Sequence, residues 1–234
     1  CSARRGPGPA PLTAGPDGFG SSIELLSASM ENNHGSAWAA SAALGTPGAA
    51  NSRVESDPAP VIRSPAHAPA QPRSSDTVTV TARVTDEGGV ASVQVLHRLD
   101  GAAGFSTTPM SRVGATDTYR ALLPAEAAGA IVEFYIRAED AAGHARTLPA
   151  TAPDPALLYQ VDDAAYPTGI PHYRVLMRNA DLVELATRDV DSDVLLNGTF
   201  VHGDDIYYTI GVRYRGEHAR DAPEKSFRIN FHHD

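Results

Sequence analysis

The sequence predicts a mainly β protein built around an antiparallel β-sandwich. The 20 glycines and 18 prolines among 234 residues exceed average usage, which indicates many turns and proline-rich connections. Between residues 76 and 161, short segments alternate polar and apolar residues with a period of two, as half-buried strands do. Turn residues separate six or seven such segments, and no helical period is present. This spacing is typical of two packed antiparallel sheets.

Composition and charge narrow the classes of function. A formal net charge of −9 argues against a nucleic-acid partner, because phosphate-backbone binding needs clustered Lys and Arg. Cys1 is the only cysteine, which excludes an internal disulfide and a cysteine-based metal site. The sequence predicts no transmembrane segment, because it contains no run of about 18 apolar residues, and no signal peptide is recognisable.

The cysteine at position 1 leaves two interpretations open. Cys1 is either the lipid-bearing residue of a processed lipoprotein or the point where the sequence starts within a longer protein. We favour the second interpretation.

Pattern and composition divide the chain into five segments. They are a disordered end at 1–17, the remnant of a small module at 18–51, an immunoglobulin-like β-sandwich at 52–161, a linker at 162–171 and the truncated start of a further domain at 172–234.

Alternation assigns the apolar faces of the sandwich strands. The predicted core positions are Val78, Val80, Ala82 and Val84 in one strand, Val93, Val95 and Leu99 in the next, and Val132, Phe134, Ile136 and Ala138 in a later one. A last strand ends near residue 161. Asp86, Asp140 and Gly143 suggest either a calcium loop or ordinary turns. We favour turns, because no run of three oxygen ligands is present.

Two stretches resemble known extracellular modules. SIELL, ENNHGSAWAAS and GTPGAAN, at 22–51, resemble the end of a bacterial lamin-tail domain. That resemblance implies that Trp38 packs in a core or at its edge. The phrases VTDEGGVASVQV, YRALLPA and VEFYIRAEDAAGH resemble a bacterial immunoglobulin-like or fibronectin-like module.

The last segment has a different pattern. We predict a strand through Tyr173, Val175 and Met177, then a helix at about 180–188 with Asn179 as its N-cap. Two strands should follow, with turns at Asn197-Gly198 and Gly203-Asp204-Asp205. In the second strand, strict alternation places Ile206, Tyr208, Ile210, Val212 and Tyr214 on one face and Tyr207, Thr209, Arg213 and Arg215 on the other. A final strand places Phe227, Ile229 and Phe231 together, with Arg228 opposite. If this strand is the neighbour of the preceding one, Arg228 could lie on the face of Arg213 and Arg215.

This segment resembles the opening of the CotH kinase family, which has a remote protein-kinase-like fold. The motif residues are VRYRG at 212–216, Ala219-Arg220, and EKSFRINF at 224–231. The resemblance implies a partial α+β kinase-like N-terminal lobe. Two departures are Ala219, where the family has Ser, and Glu224, where it has Lys. They leave Lys225 as the one lysine of the motif.

The resemblance implies ATP and Mg²⁺ as cofactors and a surface or coat protein as substrate. The candidate cofactor-binding residues are Lys225, Arg215, Arg213 and Arg228, and the catalytic residues are unknown. Guanidinium groups on a stiff sheet suit phosphoryl transfer, which depends on positioning and charge stabilisation. The alternative for Arg213 and Arg215 is a solvated face paired with Glu217 and Asp221. Lys225 either snorkels out at the strand end or points into a covered cleft, which the resemblance favours.

Two functions therefore stand as expectations. The first is a fragment of an exported CotH-like kinase that binds ATP weakly or not at all and is inactive alone. The alternative is a non-enzymatic cell-surface binding or scaffold protein. Both imply an extracellular or cell-surface location, with no nucleic acid bound and an oligomeric state that the sequence does not give.

Overall fold

The computed structural model describes residues 20–30, 32–42, 44–166, 169–216 and 223–231. It confirms a mainly β protein whose strands all pair antiparallel. The predicted disordered end at 1–17, Cys1, and the motif residues Glu217, Ala219, Arg220 and Asp221 lie outside the described residues. Within them, no helix has the length and hydrophobicity needed to cross a membrane.

The strands are β1 (Ile23–Leu25), β2 (Trp38–Ala40), β3 (Val61–Ala68), β4 (Val78–Thr85), β5 (Val90–Leu99), β6 (Ser106–Pro109), β7 (Ser111–Arg112), β8 (Thr118–Leu123), β9 (Ile131–Asp140), β10 (Ala145–Leu148), β11 (Leu157–Gln160), β12 (Tyr173–Leu176), β13 (Leu196–His202), β14 (Asp205–Tyr214) and β15 (Phe227–Asn230). A single turn of 3₁₀-helix covers Gly35–Ala37, and one α-helix, α1, covers Asn179–Thr187.

Two sheets form the sandwich and share one apolar core. The first has the order β10-β9-β5-β6, with β11 also paired to β9, and the second has the order β3-β4-β8-β7. The predicted faces of β4 and β9 are confirmed, because all eight of their predicted core residues are at most 1% exposed. In β5, Val93 and Val95 are buried, but Leu99 is 43% exposed, so its assignment to the core was wrong. Leu99 is the last residue of β5. At this end of the strand, the face that carries Val93 and Val95 extends beyond the core.

An irregular edge strand, β3, begins the sandwich. Its register with β4 shifts between Arg63 and Ala66, and Ser64 has a positive φ of 49°. The shift is a β-bulge, and Pro65 occupies it. The sequence left this Pro-rich stretch mostly unassigned because Pro is rare in strands, but an edge strand with a bulge accommodates it.

The amino-terminal piece packs against the sandwich. β1 and β2 pair, and Leu26, Met30 and Ala37 form a small core with Val61 of β3. Trp38 packs against this core and donates its indole N–H to the Asn32 carbonyl at 2.9 Å. The piece therefore gains from β3 the apolar partner that its own length does not supply.

The third sheet has the order β12-β13-β14-β15. Leu185 of α1 packs on it with Met177, Leu196, Ile210 and Val212. We call this side of the sheet the helix side and the other the sandwich side. Two local predictions were wrong here. The N-cap is Arg178 rather than Asn179, and it makes no side-chain cap hydrogen bond. Asn197-Gly198 lies inside β13, whereas Gly203-Asp204 does form the hairpin turn to β14.

Strict alternation fails in β14. Its register with β13 shifts between Gly198 and Phe200, and Thr209 has a positive φ of 50°. This bulge reverses the side-chain alternation, so Tyr208 points to the sandwich side while Ile210 and Val212 point to the helix side. The prediction that all three share a face was wrong, because one extra residue in a strand exchanges the faces beyond it.

Tyr208 joins the third sheet to the sandwich. Its hydroxyl is hydrogen-bonded to Nδ1 of His67 in β3, and its ring packs against Phe134 in the sandwich core. His67 is 3% exposed, and its Nε2 lies 3.2 Å from the Ala70 carbonyl. In the neutral ring, Nε2–H donates to Ala70 and Nδ1 accepts from Tyr208, which satisfies both nitrogens.

A buried charge network makes a second connection. Glu133 of β9 is 1% exposed and accepts two hydrogen bonds from Arg98 at 3.1 and 3.2 Å. Arg178, at the start of α1, lies 3.8 Å from the same carboxylate and donates to Asp181 at 2.7 and 3.0 Å. Glu133 needs its arginine partners, because removing one member of a buried ion pair leaves the other as an uncompensated buried charge.

The His67 environment predicts a pH dependence of stability. Burial lowers the pKa of His67 to about 4. Between its unfolded pKa, about 6.5, and the folded value, the unfolded chain binds more protons, so stability should fall by about 3 kcal/mol as the pH drops through this window. Denaturant unfolding at pH 7 and pH 4.5 should show about 2 kcal/mol of this loss, because pH 4.5 is still above the folded pKa, and His67→Asn should reduce it. An unchanged pH dependence in the variant would show that His67 does not carry the effect.

Gly198 predicts a steric limit at the β12–β13 pairing. A Cβ added there would lie 2.9 Å from the Leu176 carbonyl oxygen, which belongs to the backbone of β12. Gly198→Ala should destabilise the protein by about 1–3 kcal/mol, because the strand must shift. Gly104→Ala is the control, since a Cβ there meets nothing within 4 Å. Equal unfolding midpoints for the two variants would contradict the prediction.

Candidate functional site

Three of the four predicted cofactor-binding residues lie together at the end of β14. Arg213 of β14 is directly opposite Arg228 of β15, so both side chains point to the same face of the sheet. Arg215 follows β14, and its backbone N–H donates to the Ser226 carbonyl at 2.8 Å, which continues the pairing. The shared face was expected from the sequence on the condition that these two strands are neighbours, and the structure pairs them.

The three arginines line an open depression. Its volume is about 400 Å³, and its lining is Arg213, Arg215, Gly216, Phe227, Arg228 and Ile229. We call it the arginine depression. No acidic residue is among these described lining residues. Like charges placed directly opposite on paired strands repel each other, so the arrangement favours an anion between them.

The two facing arginines have different partners. Arg213 is 12% exposed, and its Nη1 lies 2.9 Å from Oδ1 of Asp193 and 2.9 Å from the Tyr214 carbonyl. Arg228 is exposed, and its Nε donates to the Asn230 amide oxygen at 2.9 Å. A carboxylate therefore balances the charge of Arg213, whereas a neutral amide accepts from Arg228. The acids expected to pair with Arg213 and Arg215, Glu217 and Asp221, lie outside the described residues.

Lys225 is not among the residues that line the depression. Its Nζ lies 5.8 Å from the centre of the Tyr214 ring, and the residue is half-buried. Tyr214 pairs with Phe227 next to the arginine pair, so these rings belong to the opposite face. This contact is a cation–π geometry. The structure therefore brings three of the four candidates together and places the lysine across the sheet from them.

Asp193 is a functional candidate that sequence reasoning missed. It lies in the loop between α1 and β13, within the run DVDSDV at 189–194. Several acids in that loop are equivalent by pattern, so only the fold identifies which one meets Arg213. The sequence offers one indication of this contact. A cluster of acidic residues stands just before β13, and β13 pairs with β14, the strand that carries Arg213.

Aromatic side chains cover part of the helix side of the third sheet. We call this surface the aromatic face. Its members are Tyr173, Phe200, His202, Tyr207 and Phe231. Tyr173 stacks on His202 with ring centres 4.6 Å apart, and Tyr173 is 64% and Tyr207 48% exposed. The bulge at Thr209 produces this surface, because it turns Tyr207 to the helix side.

One group in the sandwich has spacing suited to a metal ion. Ligand atoms of Asp57, Asp140 and His144 all lie within 4.8 Å of one another. The Asp140 side chain accepts from the backbone N–H groups of Ala142 and His144, at 2.8 and 2.9 Å, and from His144 Nδ1 at 3.0 Å. Burial alone would raise the pKa of Asp140, but these hydrogen bonds outweigh it and lower the pKa. They close the turn around Gly143, which agrees with the turn interpretation.

Comparison with known proteins adds no assignment. No protein-family model matches the chain, and no curated protein matches it. The resemblances to lamin-tail, immunoglobulin-like and CotH modules therefore stay predictions from the sequence motifs.

Proposed function

We propose that the third sheet is part of an exported CotH-like kinase and that its arginine depression contacts the phosphates of ATP. The observation that carries this proposal is the placement of Arg213 directly opposite Arg228, with Arg215 at the same depression. Three guanidinium groups in one concave surface offer paired N–H donors to phosphate oxygens. Because β14 and β15 hold the backbones of Arg213 and Arg228, and the Arg215 backbone continues their pairing, little backbone ordering is needed before a phosphate binds.

The fit to the two implied cofactors differs. The volume of about 400 Å³ is within the usual range of small-molecule sites, and the cationic lining suits a polyphosphate. Mg²⁺ prefers carboxylate and phosphate oxygens, and none of the described lining residues supplies a carboxylate. The lining therefore fits the phosphates of ATP and does not fit Mg²⁺.

In this proposal the residues of the chain stabilise negative charge and do not transfer a proton. When bound, ATP supplies the phosphoryl group. Arg213, Arg215 and Arg228 would balance the negative charge on its oxygens. The described lining contains no carboxylate or imidazole to orient an acceptor hydroxyl. We therefore expect weak binding, with a dissociation constant of about 1 mM, and no phosphoryl transfer by this chain alone.

Location and partner follow from the same resemblance. We place the protein at the cell surface or outside the cell, with a surface or coat protein as acceptor. These two parts of the proposal rest on the sequence motifs rather than on the depression.

Anion binding by the arginines is directly testable. NMR titration at low salt should show binding of ATP and of inorganic tripolyphosphate, but not of adenosine. Arg215→Gln or Arg228→Gln should weaken binding about fivefold, which corresponds to one lost charge-assisted contact at an exposed site. Arg120→Gln, an exposed arginine on β8 of the sandwich, is the matched control.

Two results would count against the depression as the site. One is no binding of tripolyphosphate by the unaltered chain. The other is equal weakening by Arg120→Gln, which would indicate a general charge effect. A labelled-ATP assay with Mg²⁺ and casein tests inactivity, and clear transfer would refute that part.

A second candidate function is non-enzymatic binding of a cell-surface polysaccharide. The aromatic face favours it, because exposed rings beside hydroxyl and imidazole groups offer both apolar contact and hydrogen bonding. Of the five exposed large aromatic residues in the described chain, Tyr173, Tyr207, Phe227 and Phe231 lie in or next to the third sheet, and Tyr166 lies in the preceding connection. The sugar-binding surface would thus lie on the third sheet rather than on the sandwich.

Sedimentation with insoluble polysaccharides separates this candidate from the kinase proposal. The chain should co-sediment with cellulose, chitin or peptidoglycan, and Tyr173→Ala combined with Tyr207→Ala should abolish it, because both rings are largely exposed. Leu122→Ala, at an exposed apolar position in the sandwich, is the control. Retention of binding in the double variant would exclude the aromatic face.

A further inference from the structure

A buried polar pair lies at the contact between the third sheet and the sandwich. The hydroxyl of Tyr208 in β14 is hydrogen-bonded to Nδ1 of His67 in β3, and His67 is 3% exposed. The neutral imidazole suits this position, because Nε2–H donates to the Ala70 carbonyl at 3.2 Å and Nδ1 is left as the acceptor for Tyr208. The contact therefore depends on a histidine that carries no proton on Nδ1.

The surroundings of His67 do not favour an imidazolium ion. Its ring contacts Phe134 of β9, Tyr159 of β11 and Tyr208, and no charged side chain of the described residues is hydrogen-bonded to it. Glu126, between β8 and β9, acts on Tyr159 and not on His67. Burial lowers the pKa of His67 to about 4 and raises the pKa of both tyrosines, which therefore stay neutral.

A proton on Nδ1 of His67 would turn this matched contact into a mismatched one. Nδ1 would become a donor, so the hydroxyl hydrogen of Tyr208 would lose its acceptor. A positive charge would also lie among aromatic rings, out of contact with water. Both costs end when Tyr208 leaves and water reaches the imidazole. Proton uptake therefore favours any opening that removes Tyr208 from His67.

The chain can open at this contact while each part keeps its own core. The buried core of the third sheet and α1 contains no residue of the sandwich. Its members are Met177, Leu185, Leu196, Ile210 and Val212. Tyr208 is the one residue of the third sheet that packs against the described core of the sandwich. A hydrogen bond from the Leu158 N–H to Oγ1 of Thr199, at 3.3 Å, also crosses the boundary, and water can replace either partner.

We propose that the third sheet separates reversibly from the sandwich when His67 is protonated, so that acid frees the two parts from their fixed orientation. The solvent supplies the proton to Nδ1, and the Tyr208 hydroxyl then donates to water. The docked form has the lower histidine pKa, so it binds fewer protons and loses stability as the pH falls. With an ordinary pKa of about 6.5 in the separated form, the separation equilibrium should rise about twentyfold between pH 7 and pH 5. The inference does not depend on a ligand of the arginine depression.

Hydrogen exchange of the full chain measures this separation. The Leu158 N–H crosses the boundary, so its exchange requires separation or unfolding. Its protection, relative to an unstructured peptide at the same pH, should fall about twentyfold from pH 7 to pH 5. Carboxylates ordinarily titrate near pH 4, below this window. Amides in the middle of β9 should stay at least about tenfold more protected than Leu158 at both pH values, because they exchange through unfolding of the sandwich.

His67→Asn removes the titrating group and should reduce the change in Leu158 protection to less than about threefold. His97→Asn is the matched control, because His97 is a half-buried histidine of β5 that is hydrogen-bonded to Thr108 of β6, away from the third sheet. This control should keep the twentyfold change. If His67→Asn does not fold, NMR titration of the His67 ring in the unaltered chain replaces it. A pKa at least about one unit below 6.5 would support the inference, and a pKa near 6.5 in the docked protein would overturn it.

Three results of the exchange experiment would also overturn the inference. The first is equal protection of Leu158 at pH 7 and pH 5. The second is equal protection of Leu158 and the β9 amides, because the opening would then be unfolding of the whole chain. The third is loss of the pH effect in His97→Asn, which would show that the effect does not belong to His67.

Discussion

The bulge at Thr209 is the local constraint on which the arrangement of the third sheet depends. It adds one residue to β14, so the two halves of that strand present their apolar residues to different neighbours. Tyr208 enters the sandwich core, and Ile210 and Val212 pack with α1. With regular alternation, Tyr208 would share the helix side with the other two residues. The sheet would then lose its aromatic contact with the sandwich.

The connection between the third sheet and the sandwich combines apolar packing with satisfied polar groups. His67 and Tyr208 share a hydrogen bond within an aromatic cluster that includes Phe134 and Tyr159. Glu133 is buried between Arg98 and Arg178, which come from the two connected parts. Buried polar groups of this kind are costly when unpaired, so they favour one relative position over others. The arginine depression thereby has a fixed orientation to the sandwich.

The sequence predicted the features that depend on short-range alternation. The buried faces of β4 and β9 follow a period of two without interruption, and a hairpin turn forms at Gly203-Asp204. It also predicted that Arg213 and Arg228 share a face if their strands are neighbours. That condition is met, because Arg213 follows the bulge in β14 and lies directly opposite Arg228 in β15. Prediction failed where tertiary contacts decide. Nothing local distinguishes Thr209 as a bulge, and nothing local pairs His67 with a residue 141 positions away.

The candidate site shows the same division. Parity placed Lys225 on the face of Phe227, and its contact with Tyr214 agrees with that parity. Whether the Lys225 side chain points to solvent or into a covered cleft depends on neighbouring residues that the motif does not specify. Asp193 was missed because side chains in a loop follow no regular alternation. Which loop residue contacts Arg213 depends on the path of the loop between α1 and β13. Asn197-Gly198 has the composition of a turn, yet the pairing of these two residues with Gly211 and Ile210 of β14 keeps them in a strand.

The bulge in β3 has a consequence for how such modules behave when many copies are crowded together. β3 is the outer strand of its sheet, and a regular outer strand exposes amide and carbonyl groups that recruit strands from other molecules. Pro65 has no amide hydrogen, and the irregular backbone at Ser64 bends the strand at that point. A strand of a second molecule therefore cannot form a continuous pairing along the outer edge of β3. Dense display of this sandwich is compatible with each copy remaining separately folded, without fibril-like association through this edge.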